Sequence, residues 1–265
     1  MEHTEMRHFP VLPDYPVIDA HMHPYIAQDR KFNFDIPETF EEFFAVQRAA
    51  GIGLSCGSFN IAGAGKDPEL LKACNSKVLE IHRQYPESFY PGVNVSPLLP
   101  ELSCQLMEEF HRKGFRWIGE LAYYVMGYEK YSLPGMNMIL DLAEDLDMTL
   151  NLHPSTPDDL DELMSAFPAL RFVIAHPENS AGITGTYQLA QKHPNMYIDL
   201  SGSGLFRLGM LRRGVELLGA ERILFGTDFP ICNPAMNVAG VRFEALSAAD
   251  EKLILHDNFS NLISG

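Results

Sequence analysis

The sequence is short of cysteine, of positive charge and of long apolar runs, and each shortage removes a class of protein. The four cysteines, Cys56, Cys74, Cys104 and Cys232, form no CxxC pair and are spread over 265 residues. That is too sparse for a disulfide scaffold, so four reduced thiols in a cytoplasmic protein are expected. Lys and Arg number 20 against 35 Asp and Glu, a formal charge of −15. Such a surplus repels phosphate backbones, so no nucleic-acid partner is expected. No stretch approaches the ~18 apolar residues of a membrane helix, so no membrane partner is expected either. Pro10, Pro13 and Pro16 occupy the start, where a signal peptide would need an apolar segment. No GxGxxG or GxxxxGK[ST] loop follows a candidate strand; Gly202 and Gly204 make only a GxG.

No low-complexity tract or polar linker divides the chain, so one domain over residues 1–265 is expected. What recurs is a short apolar run followed by an amphipathic stretch. The runs are Pro16–His21, Ile52–Asn60, Phe89–Val95, Phe115–Leu121, Met148–His153, Arg171–His176, Met196–Leu200 and Arg222–Gly226. Their spacing of roughly 23–37 residues suits strand-plus-helix units. Helices are expected at Pro37–Ala50, Asp67–Gln84, Leu102–Lys113, Pro134–Asp147, Pro157–Phe167, Thr184–Lys192, Phe206–Leu218 and Ser247–Ser264. Several open with proline or a capping residue, and two end at a glycine, Gly51 and Gly114. Strict alternation argues an α/β fold with a parallel sheet, and eight units fit a single (β/α)8 TIM barrel. A doubly wound open sheet is the alternative.

The chemistry sits at the C-terminal ends of the expected strands. His21 and His23 are two apart on an extended chain, so both imidazoles face one way and can share a divalent ion. Asp19 has the same parity and suits an orienting role. The fourth strand ends at Glu120, the fifth at His153, the sixth at His176 and the eighth at Asp228. Each has an ordinary reading alone: a buried histidine usually satisfies the core, and a strand-end aspartate often caps a helix. In a barrel, however, all these ends surround one mouth. Histidines and carboxylates around an open position are what a catalytic metal site needs.

The ordered set Ile18-Asp19-Ala20-His21-Met22-His23, Gly119-Glu120, His153, Ala175-His176-Pro177 and Phe225-Gly226-Thr227-Asp228-Phe229-Pro230 resembles the metal-dependent amidohydrolase superfamily, most closely its amidohydrolase-related branch of lactonases and non-oxidative decarboxylases. The resemblance spans roughly the whole chain. It implies that His21 and His23 bind a divalent metal, most readily zinc, as one ion or two. His153 binds it or bridges to a second ion. His176 ligates or stands just outside, polarising the substrate. Asp228 binds the metal and acts as general base. Glu120, where many members carry a carboxylated lysine, bridges two ions, ligates one, or only hydrogen-bonds a ligand.

The activity expected first is hydrolysis of a lactone, ester or amide of a small molecule by an activated water, with Asp228 and His176 catalytic. Non-oxidative decarboxylation of an aromatic or unsaturated acid is the alternative; Arg207 is the candidate cation for its carboxylate, though its position suits a surface residue of the seventh helix better. A non-catalytic metal-binding barrel is the third reading. Tyr123, Asn179 and Arg207 are the candidate substrate contacts, with Tyr25, Tyr124, Tyr128 and Tyr131 as further aromatic loop residues and Ser96, Ser201 and Thr227 as polar lining. Gly57, Gly63 and Gly65 suit a mobile loop after the second strand. The sequence leaves a homo-oligomer open.

Overall fold

The computed structural model describes residues 12–177, 180–202 and 207–264. Strands and helices alternate through most of the chain: β1 (Val17–Met22), α1 (Phe40–Ala49), β2 (Ile52–Gly57), α2 (Pro68–Gln84), β3 (Phe89–Pro91), α3 (Pro100–Arg112) and β4 (Trp117–Leu121). There follow α4 (Tyr123–Met126), α5 (Pro134–Asp145), β5 (Thr149–Leu152), α6 (Pro157–Ala166), β6 (Arg171–Ile174), α7 (Ser180–Lys192), β7 (Met196–Asp199), α8 (Met210–Leu218) and β8 (Ile223–Leu224). The chain closes with α9 (Pro234–Phe243), α10 (Ala248–Lys252), a π-helical turn (Leu253–Asp257) and α11 (Asn258–Ile263).

The helices start where the local chemistry demands. Five of them, α2, α3, α5, α6 and α9, carry proline in the first turn, where the missing N–H costs nothing. Thr39, Asp67, Thr156, Asn233 and Ser247 each accept a backbone N–H in the first turn of the helix they cap. Two helices were not foreseen, the short α4 and α9; the latter contains Gly240 and no acidic residue, so its amphipathic pattern is weak. The expected start of the seventh helix at Phe206 lies outside the described residues, and α8 begins at Met210.

All strand pairings are parallel, in the order β1-β2-β3 and β4-β5-β6-β7-β8. Single bridges join the two arcs: Val93 with Ile118, and Met22 with Phe229. The backbone of Ala20 donates to Phe225 O at 2.9 Å, and His23 N to Phe229 O at 2.8 Å. This is the TIM barrel expected from the alternation. Its lower end is sealed by α11. Asn258 Nδ2 donates to the carbonyls of Ala220 and Ile223 at the entry to β8, and the Phe259 ring lies 5.1 Å from Trp117 at the start of β4. The opposite end stays open, which leaves the C-terminal strand ends to form a site. Among the described residues no helix is long and apolar enough to cross a membrane.

Candidate active site

The ends of β1, β4, β5, β6 and β8 deliver His21, His23, Glu120, His153, His176 and Asp228 to one place. Glu120 is at its centre. Its Oε1 lies 2.9 Å from His153 Nδ1 and 3.2 Å from His176 Nε2; its Oε2 lies 3.3 Å from His23 Nε2 and 3.7 Å from His21 Nε2. Asp228 Oδ1 closes the cluster, 3.6 Å from His23 Nε2 and 3.9 Å from His21 Nε2.

The local backbone explains this convergence. Gly119 holds φ at 96°, and a Cβ there would stand 2.3 Å from the Asn151 carbonyl oxygen, so only glycine lets β4 pass β5 and present Glu120. His176 and Asp228 both adopt left-handed conformations, with φ of 51° and 64°. Such backbone costs about 1–3 kcal/mol per residue and persists only where neighbours enforce it. At Asp228 they do. Its N–H donates to His21 O at 2.8 Å. The preceding Thr227 donates to Asp19 from its N–H at 3.0 Å and its hydroxyl at 2.5 Å. Asp19 also accepts from His21 N at 3.1 Å and from Gln47 Nε2 of α1 at 3.2 Å. The regular pairing of β1 breaks between Asp19 and Met22, where these contacts gather.

Three imidazoles are locked through Nδ1 and present Nε2. His21 Nδ1 faces Asp199 Oδ2 at 2.9 Å, His23 Nδ1 faces Ser58 O at 3.2 Å, and His176 Nδ1 faces Ser201 Oγ at 3.0 Å. Such partners fix both ring orientation and tautomer. Asp199 is itself held by Asn151 Nδ2 at 2.9 Å, Ser201 N at 3.0 Å and the Ser201 hydroxyl. His153 differs, since it turns Nδ1 to Glu120. Asp199 and Asn151 were missed in the sequence. Asp199 carried the same strand-end carboxylate signal that marked Glu120 and Asp228.

The electrostatics follow from this crowding. Burial would lower the His21 imidazole, but Asp199, Glu120 and Asp228 outweigh it and push it up to about 10. Burial would raise Glu120; His21 and the other imidazoles hold it well below the usual carboxylate range. At Asp228 burial wins, and its carboxyl is pushed up against the pull of His23, His21 and His176. Two buried atoms, His21 Nε2 and Asp228 Oδ1, have no hydrogen-bond partner among the described residues. They face each other across the cluster, and a cation between them would satisfy both. The donor atoms of His21, His23 and Asp228, and those of His21, Glu120 and His176, each lie within 4.8 Å of one another. Imidazole nitrogen with carboxylate oxygen is the set a first-row divalent ion takes, so these residues fit a metal.

A cavity of about 560 Å³ opens onto the cluster, lined also by Tyr25, Arg30, Asn60 and Tyr124. Of the expected substrate contacts, Arg207 is not among its lining residues; Arg30, from the loop after β1 and likewise exposed, is. Tyr123 packs on Tyr131 at 5.4 Å rather than lining the cavity, which Tyr124 does, its ring 4.9 Å from His153. The order is set by the turn into α4, which tucks Tyr123 inward and leaves its neighbour at the mouth. Asn179 lies outside the described residues. Tyr128 and Tyr131 are buried.

A search of the curated proteins found no match. Among solved structures, the chain is similar to 2,6-dihydroxybenzoate decarboxylase from Rhizobium, at 17% identity and TM-score 0.72 over 94% of this chain and 98% of that one. A dihydroxybenzoic acid decarboxylase from a Polaromonas species, with bound manganese and an inhibitor, matches at 18% identity and TM-score 0.72 over 94% and 96%. A variant of 5-carboxyvanillate decarboxylase from Novosphingobium aromaticivorans, also with bound manganese, matches at 14% identity and TM-score 0.77 over 94% and 97%. At such identities the likeness establishes the shared barrel. The model of the amidohydrolase family matches residues 18–258, a span running from β1 to the first residue of α11. The chain therefore belongs to the amidohydrolase family.

Proposed function

We propose that the protein is a divalent-metal-dependent decarboxylase that removes CO2, without oxidation, from a small aromatic or unsaturated acid. The observation that carries this reading is the make-up of the cavity. An aromatic wall of Tyr25 and Tyr124 opens directly onto the imidazole–carboxylate cluster, and Arg30 is the arginine among its described lining residues. The Arg30 guanidinium is centred 5.4 Å from the Tyr25 ring and 5.2 Å from Phe32. The two rings, 6.4 Å apart, lie side by side beneath the exposed guanidinium and hold it by cation–π contact at the cavity mouth, where it can meet a substrate carboxylate. The barrel's likeness to decarboxylases of hydroxybenzoates and carboxyvanillate supports the same reading.

His21, His23 and Asp228 would hold the ion, with Glu120 or His176 completing the set. When bound, it supplies a Lewis acid that draws electron density from substrate oxygens. Arg30 pairs with the anionic oxygens, while Tyr25 and Tyr124 flank the planar substrate and exclude water. Asp228 delivers a proton to the carbon that bears the carboxylate. The C–CO2 bond then breaks, its electron pair returns to the substrate, and CO2 and the protonated product leave. One carboxylate and one proton account for both products.

We also propose one ion rather than two. Both candidate ligand groups need His21, whose Nδ1 is taken by Asp199, so both depend on the same Nε2 atom. Zinc and manganese each suit the nitrogen and oxygen donors; manganese, the ion in two of the similar structures, is the first to test.

Hydrolysis, expected first from the sequence, stays as the second reading because the unpaired Asp228 Oδ1 also suits a base for water. CO2 release separates them. Protein stripped with chelator and reloaded with manganese or zinc is expected to release CO2 from hydroxybenzoates, and the stripped protein to release none. Turnover of a lactone, ester or amide panel with no CO2 from any acid would overturn the proposal.

A further inference from the structure

We infer that Asn60 reads a hydroxyl group on the substrate, so that the acid accepted is a hydroxylated one; the inference rests on the decarboxylase reading above. Asn60 follows β2, lines the cavity and is only 6% exposed. Both of its backbone groups are committed to Tyr25. Its N–H donates to the Tyr25 hydroxyl at 3.2 Å, and that hydroxyl donates to Asn60 O at 3.1 Å. The side-chain Oδ1 is left buried without a hydrogen-bond partner among the described residues.

Other buried asparagines in the fold use their amides structurally. Asn94 Nδ2 donates to Phe59 O at 2.8 Å, and Asn151 Nδ2 donates to Asp199 Oδ2 at 2.9 Å. Among the described residues each of these also leaves Oδ1 unpaired, yet neither lines the cavity. Asn60 alone of the three stands where a ligand can reach it.

The chemistry selects the ligand group. A buried amide oxygen needs a donor, and a carboxylate offers none. A hydroxyl donates and accepts, so it satisfies the amide from either end. Arg30 meets the opposite requirement, since guanidinium only donates. Tyr25 ties the two together: it carries Arg30 over its ring, clamps Asn60 through its hydroxyl and stacks on His23 at 5.5 Å. Carboxylate and hydroxyl are thus read by different residues fixed to one buried ring. A site built to hydrogen-bond a hydroxyl rejects the analogue that lacks it, because the buried partner is then left unpaired.

The test is equilibrium binding of benzoate and the three monohydroxybenzoates to manganese-loaded protein by calorimetry, for wild type and Asn60→Leu. At least one hydroxybenzoate is expected to bind about tenfold more tightly than benzoate in the wild type, and that ratio to fall to within about twofold of one in Asn60→Leu. Asn60→Ala is read in the same way should Asn60→Leu not fold. A hydroxyl that meets only the metal would keep its advantage in both variants. Retention of every preference in the variants, or equal binding of all four acids by the wild type, overturns the inference and leaves the decarboxylase reading standing. Failure of the wild type to bind any of the four acids overturns the inference, while the decarboxylase reading stands or falls on CO2 release.

Discussion

His21 and Asp199 are joined inside the barrel, Nδ1 to Oδ2 at 2.9 Å, with both side chains fully buried. The contact spans β1 and β7 and decides which nitrogen of His21 faces the cluster. Asp199 is in turn pinned by Asn151 and Ser201, so ring direction is set from three strands. Asp199→Ala is expected to lower metal affinity about 10–100-fold, the usual effect of removing a ligand's outer partner. Competition against a chromophoric chelator measures it. Unchanged affinity would mean that His21 needs no such support.

Glu120 touches all four imidazoles, so its removal tests whether it ligates or only organises. Direct ligation predicts that Glu120→Gln keeps the fold and loses metal affinity about 100-fold, because an amide oxygen is a far weaker donor than a carboxylate. Metal content after dialysis reads this. Equal content in variant and wild type would leave Glu120 as an orienter of His153 and His176.

Asp228→Asn is expected to abolish turnover while the barrel stays folded. Among the described residues the Asp228 side chain receives no hydrogen bond, and the strand end is held instead by Thr227 on Asp19. The substitution removes the carried proton and one anionic donor together. Thermal melting and single-turnover kinetics, run side by side, check the two halves. Full activity in the variant would move the proton to Glu120.

The mouth also rests on a contact outside the cluster. Asp159, in the first turn of α6, accepts from Tyr131 N at 2.9 Å, Ser132 N at 2.8 Å and Ser155 Oγ at 2.8 Å. Tyr131 OH in turn donates to Leu121 O at 2.5 Å, beside the end of β4. Burial would raise the Asp159 carboxyl, but these donors hold it below its usual value. A lowered folded pKa means stability that is present above the unfolded value of about 3.9 and lost as pH falls through the folded one. Asp159→Asn is therefore expected to destabilise the protein by about 2 kcal/mol near neutral pH, and the gap to wild type to close in acid below the unfolded value. Urea midpoints at both pH values test it; a constant gap would show that the charge is not the source.

The strand-end residues were legible because a parallel barrel sends every strand's C-terminal end to one mouth, so sequence order suffices to group His21, His23, Glu120, His153, His176 and Asp228. Loop residues obey no such rule. Whether Tyr123 or Tyr124 faces the cavity depends on the single turn of α4, and Arg30 reaches it from a loop, beside the Tyr25 and Phe32 rings. Asn60 had no signal at all, since an unpaired amide is visible only once the packing around it is known. The helix α9 stayed hidden for a related reason: its ten residues include a glycine and three valines or phenylalanines, which read as readily as strand or loop.

On the one-ion proposal, the cluster is a single metal centre built around His21 Nε2 and Asp228 Oδ1, the two atoms of it left unpartnered among the described residues. Titration of chelator-stripped protein with manganese, counting bound ions per chain, tests it most directly. Saturation at one equivalent is expected, and none bound when both His21 and Asp228 are replaced by alanine. Saturation at two equivalents, or unaltered binding in that double variant, would contradict it.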